Sequence, residues 1–335
     1  MNKIQVAFFD SKDYDRDIFN RRVSVLGLQD QLDITYFEFR LNAQTVDVIS
    51  ENTDVICSFV NDQIDMAVIR RLKRAKVRLL ALRCAGFNHI DIAGLAGDIP
   101  VVRVPAYSPN AVAEYALSLM CTLNRKIHKA YQRVREGNFS IQGLVGFNFY
   151  HKNAGIIGTG KIGRAMIKIL QGLGMDILAY DPFPDYKLHV KYTSLEQLYE
   201  NSDIISLHCP LTQETKHMIN YSALAMMKSS VLIINTSRGG LINTEDLIYA
   251  LKKDNIGGAG LDVYEEEEEV FFEDHSSENL HDEQLLRLMG FNNVILTSHQ
   301  AFLTQEALTN IADTTLQNII EYIVNNRLQN AVTFP

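Results

Sequence analysis

Tryptophan is absent from the 335 residues, proline occurs only 7 times, and there are four cysteines, Cys57, Cys84, Cys121 and Cys209. They stand far apart with no C-x-x-C pair, which argues against a disulfide framework or a zinc site and for reduced thiols. Basic residues are in deficit, 32 Lys and Arg against 40 Asp and Glu, for a net charge of −8. Nucleic acid and anionic membrane both need a positive surface, so neither is an expected partner. A small anion is not excluded, because one buried arginine can dominate a local field. No uninterrupted apolar run reaches the length of a membrane span. Met1 to Asp10 reads as a strand broken by Lys3 and Gln5 rather than as a leader peptide. A cytoplasmic protein without a metal is expected, and the length suits about two domains.

Up to about residue 100, short apolar runs alternate with helical spacing. Ile4–Phe9, Ile34–Phe39, Val55–Val60, Val77–Leu82 and Ile99–Val104 read as strands, and Ile64–Leu72 as helix, which predicts a parallel α/β layer. Its first strand is followed by Asp10-Ser11-Lys12 and lacks a glycine fingerprint, so this layer is not expected to hold a dinucleotide. Leu82-Arg83-Cys84-Ala85-Gly86-Phe87-Asn88 leaves a strand with small residues at its tip, a turn that can offer backbone amides to an anion. Ser108-Pro109 then starts a helix whose stripe, Ala113, Ala116, Leu117, Met120 and Leu123, reads as a bridge between domains or a subunit contact. Lys126–Arg135 reads as a solvated basic face.

The informative stretch is 153–181. An apolar run ends in Gly158-Thr159-Gly160-Lys161-Ile162-Gly163, a helical stripe follows, and a second apolar run finishes on Asp181. Strand, glycine turn, helix, strand and acid stand in the order that a dinucleotide-binding βαβ unit needs. Gly158 permits the tight turn, Gly160 lets a pyrophosphate approach the backbone, and Gly163 lets the helix lie close on the sheet. The helix N-terminus would take the pyrophosphate. Asp181 can accept hydrogen bonds from the adenosine ribose and would repel a 2′-phosphate, which points to NAD over NADP.

Further strands are expected at 203–209, 231–235, 259–263 and 294–297, with a helix at 244–253 capped by Thr244 and a final helix at 304–326. Arg238, the five glutamates Glu265 to Glu269 and His299 all fall just past strand ends, where ligands gather in open α/β sheets. With a nicotinamide bound, arginine, carboxylate and histidine can divide the work of orienting a substrate, polarising its carbonyl and moving one proton.

The ordered motifs Leu82–Asp91, Arg103–Glu114, the glycine turn, Ser206–Thr212, Asn235–Gly239, Leu261–Glu265 and Thr297–Phe302 resemble the D-isomer-specific 2-hydroxyacid dehydrogenases. The similarity is greatest to their bacterial fermentative D-lactate-forming branch. It implies an α/β chain of two Rossmann-like domains, flavodoxin-like and NAD-binding, with parallel sheets and a cleft between them. The substrate domain would be 1–102 with 300–335, and the cofactor domain 103–299. The resemblance gives Arg238 the substrate carboxylate and keto oxygen, His299 the role of general acid and base, and Glu267 the support of the imidazole, with Glu265 as fallback. Ala85 and Gly86 amides, Tyr107 and Phe302 would meet the substrate. Lys161 and Ile162 would lie on the pyrophosphate, and Cys209, Pro210, Thr236, Ser237 and Asp262 on the nicotinamide side. His89, His128, His151, His208 and His217 are expected to be structural or superficial. The implied reaction is NADH-dependent reduction of pyruvate to D-lactate by a homo-oligomer, a dimer or tetramer. The alternatives are a larger 2-keto acid as substrate, or a role as an NAD(H)-sensing corepressor.

Overall fold

The computed structural model describes residues 3–95 and 97–332, less the side chain of Glu269. It divides into two compact units, one made by the chain up to Ser108 and again from Leu303 onward, the other by Pro109–Phe302.

In the first unit, β1 (Ile4–Phe8), β2 (Leu32–Tyr36), β3 (Val55–Ser58), β4 (Leu79–Leu82) and β5 (Val101–Val102) form one sheet in the order β2-β1-β3-β4-β5. Every pairing is parallel, and the order is that of flavodoxin-like sheets. β3 and β4 are buried along their whole length, which is why they are unbroken apolar runs. The helix Met66–Arg74 starts where the Asp65 carboxylate accepts from the amides of Ala67 and Val68. The last helix, Gln305–Asn325, belongs here: Ala312, Leu316 and Ile319 share a core with Phe8 and Leu79. Past β4, Arg83 is 2% exposed, lies between the rings of Phe8 and Phe59, and donates to the carbonyls of Phe9 and Asp10. A buried guanidinium needs such partners, and they fix where the 84–86 turn begins.

In the second unit, β6 (Asn153–Ile157), β7 (Asp176–Tyr180), β8 (Lys191–Tyr192), β9 (Ile204–Leu207), β10 (Leu232–Asn235), β11 (Gly258–Leu261) and β12 (Val294–Leu296) run in the order β12-β11-β10-β9-β6-β7-β8. All pairings are again parallel. The chain therefore builds outward from β6 in one direction and then from β9 in the other, and the order reverses between them. Because the strands are parallel, all seven carboxyl ends lie on one edge.

Two expectations need correction, and a third holds with an addition. The stripe of the Pro109–Arg125 helix is spent inside its own unit, with Ala113, Ala116, Met120 and Leu123 buried beside Ala154, Ile156, Met166 and Ile234. Asn243, not Thr244, caps the Thr244–Lys252 helix: its side-chain oxygen accepts from the Asp246 amide at 3.0 Å. The Ile127–Arg135 helix buries none of its residues, as a solvated face should, but it also leaves Ile127, Tyr131 and Val134 exposed.

At the reversal point, β6 and β9 are locked by His208. Its amide donates to the Ile157 carbonyl at 2.7 Å, and its Nε2 lies 2.9 Å from the Ser206 hydroxyl. Burial pushes the His208 imidazole down to about 4. Between roughly 6.5, the value in an unfolded chain, and that lower value, the unfolded chain binds a proton that the folded chain does not. Stability from this group is complete above the window and is lost as pH falls through it. In denaturant titrations between about pH 6.5 and pH 4, His208→Gln should lose stability with falling pH less steeply than the parent, by up to one proton. Equal slopes would refute the assignment.

Candidate active site

The carboxyl-end edge of the second unit collects the polar and charged residues that the sequence singled out there. Going along the sheet, β12 leads to His299, β11 to Asp262 and Glu267, and β10 to Thr236, Ser237 and Arg238. β9 then leads to Cys209 and Pro210, β6 to Gly158, and β7 to Asp181.

The three glycines of the turn do different jobs. A Cβ on Gly158 would stand 2.6 Å from the His208 carbonyl carbon, and one on Gly163 would stand 2.0 Å from the Gly158 oxygen. Both are required by packing of the protein on itself, and Gly158 also has φ +94°. Gly160 differs: a Cβ there would meet nothing within 4 Å. It stands at the N-terminus of the Lys161–Gly172 helix with no side chain capping the free amides. Open space against unpaired amides is what a pyrophosphate needs. Lys161 and Ile162 open that helix, Lys161 exposed and Ile162 partly buried. Thr236 adds a hydroxyl that is buried and has no hydrogen-bond partner. The residues present therefore fit a dinucleotide.

Asp181 is held in place by Thr159, a partner that spacing did not reveal. One oxygen accepts from the Thr159 amide at 2.7 Å and its hydroxyl at 2.8 Å, and the other from the Phe183 amide at 2.9 Å. Burial opposes the charge, but these donors and Arg164 outweigh it and hold the carboxyl below the usual range. Cys209 packs its sulfur 3.7 Å from Met218, and burial pushes its thiol up to about 11, so it stays protonated. Pro210 is exposed beside it.

Glu267 and His299 come together. His299 Nδ1 lies 2.7 Å from Glu267 Oε1, both side chains are largely buried, and the second Glu267 oxygen accepts from the Tyr264 amide at 2.9 Å. Glu265, two residues earlier, points elsewhere and hydrogen-bonds to His217. Glu266 and Glu268 are exposed, and the side chain of Glu269 lies outside the described residues. The Phe272 ring, on a residue with φ +70°, is centred 5.9 Å from the His299 ring.

His299 itself has a left-handed φ of +53°. The Asp262 carboxylate, fully buried, maintains it: one oxygen accepts from the Thr297 hydroxyl at 2.6 Å and the Gln300 amide at 3.0 Å, the other from the Ala301 amide at 2.8 Å. Burial raises the Asp262 carboxyl, opposed by these donors and by His299. Both oxygens being committed to the 297–301 loop, Asp262 acts on the site by shaping that loop. Gln300 also donates to the Tyr115 hydroxyl at 2.6 Å, and Phe302, next along, is buried. Thr297, Gln300 and Tyr115 were not anticipated, since a loop's internal hydrogen bonds leave no periodic trace.

Arg238 is partly exposed, its guanidinium donating to its own neighbour's carbonyl, Ser237, at 2.6 Å. Ser237 ties the turn to β9 through the Leu207 carbonyl at 2.8 Å. The turn abuts the glutamate loop, since a Cβ on Gly239 would stand 2.0 Å from the Tyr264 carbonyl carbon. In the first unit, Ala85, Gly86 and Tyr107 are each partly buried. The Ala85 carbonyl accepts from Arg103 at 2.8 Å, and the Tyr107 carbonyl from Asn310 at 2.7 Å. Such an edge can bind a dinucleotide, fix an anion with a guanidinium and transfer a proton through a carboxylate-supported imidazole.

Comparison with known proteins agrees. Residues 117–301 match the model of the D-isomer specific 2-hydroxyacid dehydrogenase NAD binding domain. A 2-hydroxyacid dehydrogenase homolog of Haemophilus influenzae is 51% identical over 94% of this chain and 95% of its own. The D-lactate dehydrogenase of Escherichia coli is 48% identical over 94% of this chain and 96% of its own. The solved pyruvate reductase of Chlamydomonas reinhardtii superposes with a TM-score of 0.91 at 41% identity, over 98% of both chains. Glycine turn, strand order and sequence kinship agree: the chain belongs to the D-isomer-specific 2-hydroxyacid dehydrogenases and is an NAD-dependent oxidoreductase.

Proposed function

We propose that the protein reduces pyruvate to D-lactate, with His299 as the proton donor. The observation that carries this reading is the hydrogen-bonded pair of His299 and Glu267, on the edge that also holds Arg238 and the glycine turn. The names of the Escherichia coli and Chlamydomonas relatives support the choice of substrate.

A nicotinamide bound at this edge would supply the hydride for C2. Arg238 offers paired N–H donors to the substrate carboxylate and leans on the keto oxygen, which orients the carbonyl and draws charge toward that oxygen. His299 gives a proton to the same oxygen from Nε2, so hydride and proton together saturate the carbonyl. Glu267 makes this possible by accepting from Nδ1, which keeps the mobile proton on the opposite nitrogen and stabilises the charged ring before transfer. Run backwards, the neutral Nε2 takes the hydroxyl proton of D-lactate. The same reading gives the Ala85 and Gly86 amides and Tyr107 to the substrate, and Phe302 to the wall around its methyl group.

We also place self-association on the segment after the 127–135 helix. Phe139, Ile141 and Val145, close together in the chain, are 75%, 82% and 83% exposed, and Ile127, Tyr131 and Val134 on the preceding helix are exposed as well, apolar side chains that a second copy could cover.

Two outcomes are expected. With NADH consumption followed at 340 nm, His299→Gln should lower kcat by about a hundredfold or more, while Arg238→Lys should chiefly raise the pyruvate KM. A His299→Gln protein working at the parent rate, or a chiral assay finding L-lactate, would end the assignment. In sedimentation, the parent should run as a dimer or larger and the double variant Ile141→Lys, Val145→Lys as a monomer; a monomeric parent would rule out the interface.

A further inference from the structure

A second histidine–glutamate pair stands beside the first, and the chemistry above gives it no role. His217, with a left-handed φ of +53°, hydrogen-bonds through Nε2 to Glu265 Oε1, and its backbone amide donates to the Gly240 carbonyl at 2.8 Å. The other Glu265 oxygen accepts from the Thr244 amide at 3.3 Å and the Thr244 hydroxyl at 3.1 Å. Three segments meet there. Residues 217–219 lie along 240–243, with Ile219 donating to the Leu241 carbonyl at 3.0 Å and Asn243 to the Ile219 carbonyl at 2.9 Å. Residues 264–267 close the junction, through Glu265 and through the contact of Tyr264 with Gly239.

The junction is adjacent to both working parts of the site. Arg238 immediately precedes Gly239, and Glu267 is anchored on the Tyr264 amide. The Arg238 guanidinium bonds to the carbonyl of its own neighbour, a contact that moves with the turn rather than holding it. Its aim therefore depends on where the turn is fixed relative to the glutamate loop.

We propose that His217 is a positioning residue which, through Glu265, fastens the turn bearing Arg238 to the loop bearing Glu267 and so sets the guanidinium against the acid–base pair. The proposal rests on the substrate role given to Arg238 above. It gives two acids of the run separate roles, since Glu267 serves the imidazole of His299 while Glu265 holds the frame.

The test uses the full-length protein. His217→Phe fills similar space without a hydrogen bond and should raise the pyruvate KM about tenfold, with kcat less affected and NADH binding by fluorescence within about twofold of the parent. His217→Gln, whose amide reaches the place of Nε2, should restore KM to near the parent value. Glu265→Ala should match His217→Phe, and the double variant should be no worse than either alone, because the two act as one joint. An unchanged KM in His217→Phe, or additive effects in the double variant, would overturn the proposal. So would parallel loss of NADH binding and thermal stability in both the Phe and Gln variants, which would make His217 a support of the fold. If His217→Phe does not fold, His217→Leu carries the same expectation. A parent that binds NADH but reduces no 2-keto acid would instead bring down the functional reading, and the role of His217 with it.

Discussion

A buried carboxylate decides where the His299 imidazole stands. Asp262 has no exposed surface, and its two oxygens take three donors from residues 297–301, while its carbonyl accepts from the His299 amide at 2.7 Å. Leaving such a carboxylate without donors would cost several kcal/mol, so the loop has little freedom to rearrange. That constraint keeps His299 in a left-handed conformation that a non-glycine residue adopts only when its surroundings demand it. The ring is thereby aimed at Glu267 and beside Phe272. Without the clamp, the hydrogen bond and the ring contact would both depend on a loop with fewer anchors.

The clamp works because the parallel sheet has already brought the pieces to one edge. β10, β11 and β12 are neighbours, so arginine, glutamate and histidine leave three adjacent strands. The strand-order reversal between β6 and β9 leaves room for a ligand on the same edge, which is where the glycine turn lies. There the glycines divide their roles by what a Cβ would strike. Gly158 and Gly163 are needed so that the turn can pack against β9 and the helix against the turn, and Gly160 alone faces open space.

Much of this was legible in the sequence. The buried strands β6, β9 and β10 are largely apolar runs of four or five residues and fall where the pattern put them, β9 and β10 shortened by a residue or two at their ends and β6 lengthened by Asn153. β8, only Lys191–Tyr192, carries no apolar run and could not be read. The stripe on the Pro109–Arg125 helix was legible as buried, but periodicity does not say whether the cover is the helix's own domain or another chain. Asn243 and Thr244 are both good caps, and only the register of the first hydrogen bond separates them. The glutamate run was the hardest stretch. Five like side chains carry no spacing signal, and it takes the 3₁₀ turn Glu267–Glu269 to send Glu265 and Glu267 to different partners.

Three histidines on this edge show that residue type alone does not single out the proton donor proposed above. His208 faces a hydroxyl in a buried setting with no carboxylate partner among the described residues, and burial pushes it down to about 4, which leaves it uncharged at neutral pH. His217 does have a carboxylate, but that carboxylate is also engaged by a helix amide and a threonine hydroxyl, so moving a proton there would disturb its hold on Thr244 at the start of the Thr244–Lys252 helix. His299 combines a carboxylate on one nitrogen with a second nitrogen that has no hydrogen bond among the described residues of its unit, on a loop that Asp262 keeps still. A proton carrier needs a stabilised charge, a free face and a fixed position at once. Of the three, His299 best suits the role proposed for it, because of the residues around the ring rather than the ring itself.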